Sequence, residues 1–243
     1  MARAEILGRL TTGWRDAAID AVRAETPRAR TLGLVVPAWP GHRAGQHLDV
    51  RLTAEDGYMA QRSYSIATPP GADALEITVA RLEDGEVSPW LVDEAQPGDQ
   101  LEVRGPIGGY FVWGPERGGP LLLIAGGSGL VPLMCIERHR RDVAPEVPVT
   151  LVLSARDPED VIYADQLGDA VITYTRAAPP GWAGRTGRLD AEALRDIAPP
   201  PEERPRCYVC GPTGFVEVVA EALVGIGHHR ALIKTERFGA TGG

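Results

Sequence analysis

The sequence predicts a two-domain protein in which an antiparallel β-barrel precedes an α/β domain with a parallel sheet of about five strands. Apolar and polar residues alternate with period two in the N-terminal half, as they do in half-buried strands. In the C-terminal half, continuous apolar runs alternate with helical segments, which is typical of a buried parallel sheet. The 243 residues are enough for two compact domains.

Short strands separated by turn signals justify the barrel. Alternation marks strands near 48–52, 75–79 and 101–103, and an earlier strand falls within 18–36, broken near Pro27. Turn dipeptides such as Pro40-Gly41 and Asp56-Gly57 lie between them. Several short strands at this spacing favour a small antiparallel barrel.

Composition changes at 115–120, a linker rich in glycine and proline. Strands are then expected at 121–125, 147–154, 171–175, 207–210 and 231–234, with helices at 130–141, 190–197 and 213–224. Asp157 followed by Pro158 predicts a further helix start. We therefore expect an N-terminal extension (1–16), a β-barrel domain (17–114) and an α/β domain with a C-terminal tail (115–243).

Charge and cysteine content exclude several classes of protein. The net charge of −8 argues against nucleic acid or an anionic membrane as a partner. No apolar run approaches the ~18 residues of a membrane-spanning helix, and the N-terminus has no signal-peptide core. Three cysteines cannot form a disulfide framework, and no metal site is indicated. The expected location is the cytoplasm.

Two motifs lie at the carboxyl ends of predicted strands, where open parallel sheets bind ligands. The loop Gly126-Gly127-Ser128-Gly129 opens a helix, an arrangement that suits a pyrophosphate, although a simple tight turn is equally compatible with it. Cys210 ends another strand and would face the same crevice, or be a buried structural cysteine. Cys207 and Cys210 should point to opposite faces of their strand, ~10 Å apart, so a redox dithiol is not expected.

A third motif, Arg62-Ser63-Tyr64-Ser65, lies in the barrel half. In a strand, Arg62 and Tyr64 share one face. An arginine beside an aromatic ring can hold a phosphate and stack on a flat ligand. An ordinary exposed cross-strand pair is the alternative.

In this order the motifs resemble those of the ferredoxin–NADP reductase superfamily, from about Ala17 to Gly239. The matching segments are Arg62-Ser63-Tyr64-Ser65, Val79-Ala80-Arg81, Gly85-Glu86-Val87-Ser88, Gly98-Asp99, Gly105-Pro106-Ile107-Gly108, Gly126 through Pro132, and Cys210-Gly211-Pro212. The terminal Glu236-Arg237-Phe238 is similar to the Glu-x-Tyr ending of plant-type members, with Phe for Tyr and five further residues.

The resemblance implies a role for each matched residue. Arg62 would pair with a flavin phosphate, Tyr64 would stack on the ring, and Ser65 would hydrogen-bond the nitrogen that receives hydride. Cys210 would lie beside the nicotinamide, and Glu236 would handle protons. The implied FAD-binding residues are Arg62, Ser63, Tyr64, Ser65, Val79, Arg81, Gly85, Val87, Ser88 and, as a ring cover, Phe238. The implied nucleotide-binding residues are Gly127, Ser128, Gly129, Pro132, Cys210, Gly211 and Pro212, and the catalytic set is Ser65, Cys210 and Glu236.

NADPH is the favoured donor, with NADH as the alternative. A 2′-phosphate requires arginines near the adenosine end of the nucleotide. The candidates after strand ends or on nearby loops are Ser154, Arg156, Thr175, Arg176 and Arg188. Arginine is abundant in the sequence, so solvated surface arginines are the competing interpretation.

These inferences predict a stand-alone flavoprotein that moves hydride from NADPH to FAD and passes electrons to a separate redox protein: a ferredoxin, a haem protein or a molybdenum protein. The C-x₄-C-x₂-C run of a plant-type iron–sulfur domain is absent from the sequence. The alternatives are an NAD(P)H:flavin reductase and an electron-transfer subunit of a larger enzyme. A basic patch at Arg138, Arg140 and Arg141 would suit an acidic partner, although a solvated helix face is favoured.

Overall fold

The computed structural model describes residues 13–238, which form two six-stranded sheets. Most of the predicted N-terminal extension and the residues after Phe238 lie outside the described range. The first sheet is antiparallel and the second is parallel. The α-helices of the described residues flank the second sheet, whereas a single π-helical turn, Trp90–Glu94, packs on the first. The predicted two-domain fold class is thus confirmed.

The barrel is built from β1 to β6, in the spatial order β4-β3-β6-β1-β2-β5. Their bounds are β1 Arg15–Thr26, β2 Ala29–Val35, β3 His47–Thr53, β4 Met59–Ser65, β5 Leu75–Ala80 and β6 Gln100–Ile107. An isolated bridge between Ile66, which directly follows edge strand β4, and Ile77 within the other edge strand, β5, closes the sheet. The region of 18–36 is a hairpin that turns at Pro27, where the sequence predicted a break.

Along β3, alternate residues face the barrel core and the side of the sheet where the candidate site lies. Leu48 and Val50 on β3 are fully buried in the barrel core. His47, which precedes Leu48, and Asp49, which lies between Leu48 and Val50, project to the other face of the sheet. In the antiparallel β3–β4 pair, His47 lies opposite Ser65 and Asp49 opposite Ser63. The serines of the Arg62–Ser65 segment therefore share a face with His47 and Asp49.

The α/β domain is built from β7 to β12, in the order β10-β9-β8-β7-β11-β12. Its strands are β7 Leu121–Gly126, β8 Val149–Ala155, β9 Val171–Tyr174, β10 Arg185–Thr186, β11 Arg206–Pro212 and β12 Ile233–Phe238. Its helices are α1 Leu130–Val143, α2 Ala191–Ile197 and α3 Thr213–Gly225. The two-residue strand β10 was not predicted from the sequence, so the parallel sheet has six strands where about five were expected. Within residues 13–238, no helix combines the length and apolarity needed to cross a membrane.

The helix predicted after Asp157 is wrong. The Asp157 carboxylate does accept the Glu159 N–H, as an N-cap does, but only a single 3₁₀ turn, Pro158–Asp160, follows. Val161 leaves the turn with extended backbone, and Tyr163 is buried. The Tyr163 hydroxyl contacts that of Thr78 in the barrel, and the Tyr163 N–H donates to Glu25 Oε2 over 3.2 Å. Contacts with the other domain therefore hold this segment out of a helix.

Candidate functional site

A cleft of about 850 Å³ lies between the two domains, at the carboxyl ends of the parallel strands. The barrel contributes the β1–β2 turn and the residues after β5, and the α/β domain contributes the loops after β7, β8, β9 and β11. Ten of the residues proposed from the sequence line it: Arg81, Gly127, Ser128, Ser154, Arg156, Thr175, Arg176, Arg188, Pro212 and Phe238. Nine of them lie at one edge of the parallel sheet, and Arg81 lines the cleft from the barrel side.

The glycine loop is shaped by close backbone approaches. Gly127 has φ of +56°, a left-handed conformation that favours glycine. A Cβ on Gly129 would lie 2.2 Å from the carbonyl oxygen of Cys210, so only glycine lets the loop pack on β11. Similarly, Cβ atoms on Gly126 or Gly211 would lie 2.7 Å from the Phe215 ring. The loop leads directly into α1, whose first turn contains Pro132 and whose N-cap residue, Gly129, makes no side-chain cap hydrogen bond. The positive end of this helix, where N–H groups lack intrahelical partners, therefore adjoins the cleft that Gly127 and Ser128 line.

Three arginines converge on the α/β side of the cleft. Arg156 follows β8, Arg176 follows β9 and Arg188 follows the short β10. All three are exposed, and none forms an ion pair with another residue in the described part of the chain. Ser154 and Thr175 lie beside them on the same strand ends. The cleft therefore has uncompensated positive charge where a phosphorylated ligand would lie.

The two arginines expected on the flavin side are held by carboxylates. Arg62 Nη2 lies 2.5 Å from Glu86 Oε2, and Tyr58 donates to the other oxygen of Glu86. Arg81 Nε lies 2.7 Å from Asp93 Oδ2 and also pairs with Glu83. A phosphate bound by Arg62 would replace Glu86 as its partner.

The loop that carries Glu86 is tightly folded. Ser88 is buried, and its hydroxyl accepts the Leu82 N–H over 3.1 Å. A Cβ on Gly85 would lie 2.8 Å from this hydroxyl. Val87 is fully buried in the barrel core, and Val79 on β5 packs in the same core. Val79 and Val87 therefore offer a ligand only their backbone groups.

Residues of β4 divide between two faces. Tyr64 is largely buried, and burial raises the pKa of its phenol, so the ring stays neutral. The Ser63 hydroxyl donates to Asp49 Oδ1 over 2.6 Å, and Asp49 pairs with Arg104. The side chain of Ser63 is thus committed to Asp49 on the face opposite Tyr64.

Cys210 and Glu236 meet on neighbouring parallel strands, in register in the β11–β12 pair. Burial raises the pKa of the Cys210 thiol far above its usual range, and nearby Glu236 adds to the rise, so the thiol is neutral. Burial also raises the pKa of Glu236 to about 7. Its Oε2 atom is buried and has no hydrogen-bond partner in the described structure. All three cysteines are unpaired, and Cys207 and Cys210 pack on opposite faces of the sheet, as expected.

Sequence analysis missed two groups at this site. His47 places its Nδ1 atom 3.6 Å from Glu236 Oε1, so a barrel residue reaches the last strand of the other domain. Arg28, on the β1–β2 turn, bridges to Asp160 across the rim of the cleft over 2.7 Å. His47 lies directly opposite Ser65 in the sheet, a register that the sequence alone does not give.

These features fit a flavin and a nicotinamide nucleotide. The tight Gly85–Ser88 loop beside Arg62 and the glycine loop beside three arginines are each shaped to receive a phosphate group. The unpartnered buried oxygen of Glu236 marks a place where a polar ligand atom is needed. Fold and site together define a flavin- and nucleotide-binding oxidoreductase.

Comparison with known proteins agrees with this class. The family model for the oxidoreductase FAD-binding domain matches residues 29–112, and that for the oxidoreductase NAD-binding domain matches residues 123–221. The chain is 32% identical over 210 residues to the glycine betaine monooxygenase reductase subunit of Pseudomonas aeruginosa, covering 82% of this chain and 57% of that protein. It is 33% identical over 232 residues to the 3-ketosteroid-9-alpha-monooxygenase ferredoxin reductase component of Rhodococcus rhodochrous, covering 93% and 65%.

A solved structure extends the comparison. The ferredoxin NADP+ reductase of Neisseria gonorrhoeae, with bound FAD and NADP, superposes with a TM-score of 0.78 at 25% identity, covering 92% of this chain and 98% of that one. The chain belongs to the ferredoxin–NADP reductase superfamily, with FAD and a nicotinamide nucleotide as its cofactors. It spans 57% to 65% of the length of the two curated relatives named above.

Proposed function

We propose that this chain takes hydride from NADPH onto FAD and passes the electrons to a separate redox protein. The observation that carries the proposal is the meeting of both domains at one corner. There Glu236, in register with Cys210 on the neighbouring strand, lies 3.6 Å from His47, the barrel residue opposite Ser65. Hydride transfer requires two flat rings held in contact, and a corner between two domains is suited to that purpose. Bound flavin supplies two-electron acceptance followed by one-electron release.

Each residue then has a defined task. Arg62 and the backbone of the Gly85–Ser88 loop hold the flavin phosphates, while Tyr64 stacks on the ring and Ser65 donates a hydrogen bond to it. The Gly127–Gly129 loop binds the nucleotide pyrophosphate through its amides. Cys210, neutral and rigidly buried, positions the nicotinamide without attacking it. Phe238, partly exposed on the cleft, covers the ring until the nicotinamide displaces it.

An anaerobic titration tests the proposal. The purified protein is expected to be yellow, to release FAD on denaturation, and to bleach stoichiometrically with NADPH. A yellow protein that neither NADPH nor NADH bleaches would instead indicate an electron-transfer subunit that lacks its own turnover. A colourless protein that oxidises NADPH only when free flavin is added would indicate a flavin reductase. Either of these results would overturn the proposal.

The preference for NADPH rests on the three uncompensated arginines at the adenosine side of the cleft. Arg176→Ala is expected to raise the KM for NADPH on the order of 10- to 100-fold, since a charge-assisted bond to phosphate contributes about 1.5–3 kcal/mol. The KM for NADH should change little. Arg195→Ala, which removes an exposed arginine of α2 outside the cleft, is the control. Equal effects of Arg176→Ala on both nucleotides would contradict the assignment.

The proposed electron acceptor is a separate protein: a ferredoxin, a haem protein or a molybdenum protein. Two relatives are reductase components of monooxygenases by name, which supports an oxygenase system as the destination. The arginines of α1 are engaged internally: Arg140 and Arg141 pair with Glu137, and Arg138 donates to Ala67 O. These internal contacts favour a solvated helix face over a docking surface for the acceptor. Three unpaired thiols support a reducing compartment, the cytoplasm, as the location.

A further inference from the structure

A closed ring of hydrogen bonds joins the barrel to the segment that connects β8 and β9. The Tyr163 hydroxyl contacts the hydroxyl of Thr78 on β5. Thr78 Oγ1 lies 2.7 Å from Thr31 Oγ1 on β2, and Thr31 donates to Glu25 Oε1 on β1 over 2.7 Å. The other oxygen of Glu25 closes the ring, because it accepts the Tyr163 N–H over 3.2 Å. Two atoms of one residue in the α/β domain are therefore bonded to a network that spans three barrel strands.

The direction of these bonds follows from the single hydrogen that each hydroxyl can donate. Thr31 uses its hydrogen on Glu25, so the hydrogen between the two threonines comes from Thr78, and the Tyr163 hydroxyl must donate to Thr78. Burial raises the pKa of the Tyr163 phenol to about 12, so this donor keeps its hydrogen at neutral pH. Thr31, Thr78 and Tyr163 are all buried, so water does not replace a bond that is lost from the ring.

The conformation of Tyr163 shows that its surroundings determine its position. Its φ of +56° and ψ of +29° lie in the left-handed region, which a residue with a bulky side chain rarely adopts. Such a conformation persists only where the surrounding structure holds it. The Arg138 guanidinium carbon lies 4.5 Å from the centre of the Tyr163 ring, and Arg138 also donates to Ala67 O of the barrel over 2.6 Å. A second contact between the domains thus holds the same ring.

The hydrogen-bonded ring lies directly behind both walls of the cleft. Thr78 lies on β5, the strand whose end is proposed to contact the flavin. Tyr163 directly follows Ile162, which lines the cleft. Its segment connects β8 and β9, the strands after which come Arg156 and Arg176 of the nucleotide side. A change at the contact of Tyr163 with Thr78 therefore shifts the nucleotide side of the cleft relative to the flavin side.

We propose that Tyr163 is a positioning residue that fixes the separation and angle of the two domains and, through them, the contact between the flavin and nicotinamide rings. The inference rests on the proposed function. Tyr163 is buried and is not among the residues that line the cleft, so it acts on the two rings through Thr78 and Glu25. Hydride transfer responds strongly to such positioning, since a displacement of about 1 Å costs on the order of 100-fold in rate.

The first test measures the relation between the domains without turnover. Val35→Cys in the barrel and Val143→Cys at the end of α1 provide exposed sites for spin labels, because the three native cysteines are buried. Pulsed electron double resonance then gives the distribution of distances between the domains. Tyr163→Phe should broaden this distribution. Tyr174→Phe is the control and should leave it narrow, because Tyr174 is a buried tyrosine whose ring packs on Trp182 of its own domain.

Two substitutions of Thr78 test the same contact from the barrel side and do not require Tyr163→Phe to fold. Thr78→Val keeps the shape of the side chain but removes the hydroxyl, so it should broaden the distribution. Thr78→Ser keeps the hydroxyl that links Tyr163 to Thr31, so the distribution should stay narrow. Combining Thr78→Val with Tyr163→Phe should broaden it no further, since both remove one chain of bonds. A narrow distribution in Thr78→Val or in folded Tyr163→Phe would overturn the proposal.

The second test relates the domain positions to the chemistry. At saturating NADPH, the stopped-flow rate of flavin reduction in Tyr163→Phe should fall on the order of 10-fold. The Kd for NADPH should not change, and the long-wavelength absorbance of the stacked flavin and nicotinamide should weaken. A merely structural role would lower the Tm without separating the rate from the Kd. A broadened distribution with flavin reduction as fast as in Tyr174→Phe would also overturn the proposal.

Failure of the proposed function has a different signature. In that case neither nucleotide reduces the flavin of the unmodified protein, whereas Tyr163→Phe and Thr78→Val still broaden the distance distribution and Thr78→Ser does not. That result would retain the role of Tyr163 in fixing the two domains and would remove its role in hydride transfer.

Discussion

An Arg62→Ala variant is expected to lose its flavin during purification. Arg62 is the cation of β4 next to the tightly folded Gly85–Ser88 loop, and its guanidinium can bind a phosphate through two parallel hydrogen bonds. Loss of two charge-assisted bonds should raise the Kd for FAD on the order of 100-fold. Flavin content after gel filtration and quenching of flavin fluorescence on titration of the flavin-free protein measure the change.

Glu86→Gln is the matched control, because it removes the charge that now holds Arg62. If the flavin phosphate displaces Glu86 from Arg62, this variant should bind FAD as tightly as the unmodified protein or more tightly. The introduced amide oxygen would still accept the hydrogen bond from Tyr58, so the loop should keep its shape. Equal weakening by both substitutions would mean that the Arg62–Glu86 pair is structural and that the phosphate binds elsewhere.

Local patterns in the sequence predicted the elements that depend on local physics. Alternation of apolar and polar residues with period two located the barrel strands, and continuous apolar runs located the buried strands of the parallel sheet. The same alternation put Cys207 and Cys210 on opposite faces. Because ligands bind at the carboxyl ends of parallel strands, residues after β8 and β9 could be assigned to one cleft before any contact was known.

Features that depend on contacts between distant residues were not predictable. Asp157 and Pro158 are good helix-starting residues, yet docking of Tyr163 onto Thr78 and Glu25 of the barrel overrides that preference. The pairing of His47 with Glu236 joins distant parts of the chain and leaves no periodic signal. The partners of Arg62 and Ser63 were missed for a related reason. Strand alternation predicts the face of the sheet on which a side chain lies, but not which side chain from another strand or loop lies next to it.

Gly129→Ala is expected to impair nucleotide binding and hydride transfer strongly while leaving the flavin in place. The added Cβ would lie 2.2 Å from the carbonyl oxygen of Cys210 and 2.8 Å from the Gly211 nitrogen. Both are backbone atoms of β11, so the glycine loop must move away from the strand that carries the thiol. A displacement of about 1 Å at a reacting centre costs on the order of 100-fold in rate, and kcat/KM for NADPH should fall by at least that factor. The overpacking should also lower the free energy of unfolding by about 1–3 kcal/mol.

Gly214→Ala separates this steric effect from any general intolerance of the sheet edge. Gly214 lines the same cleft in the first turn of α3, but a Cβ there meets no atom within 4 Å. Alanine also has the higher helix propensity, so stability should be unchanged or slightly increased and nucleotide binding retained. Stopped-flow reduction by NADPH and thermal unfolding of both variants distinguish the cases. Normal reduction of Gly129→Ala would show that the close approach of the loop to β11 is not needed for hydride transfer.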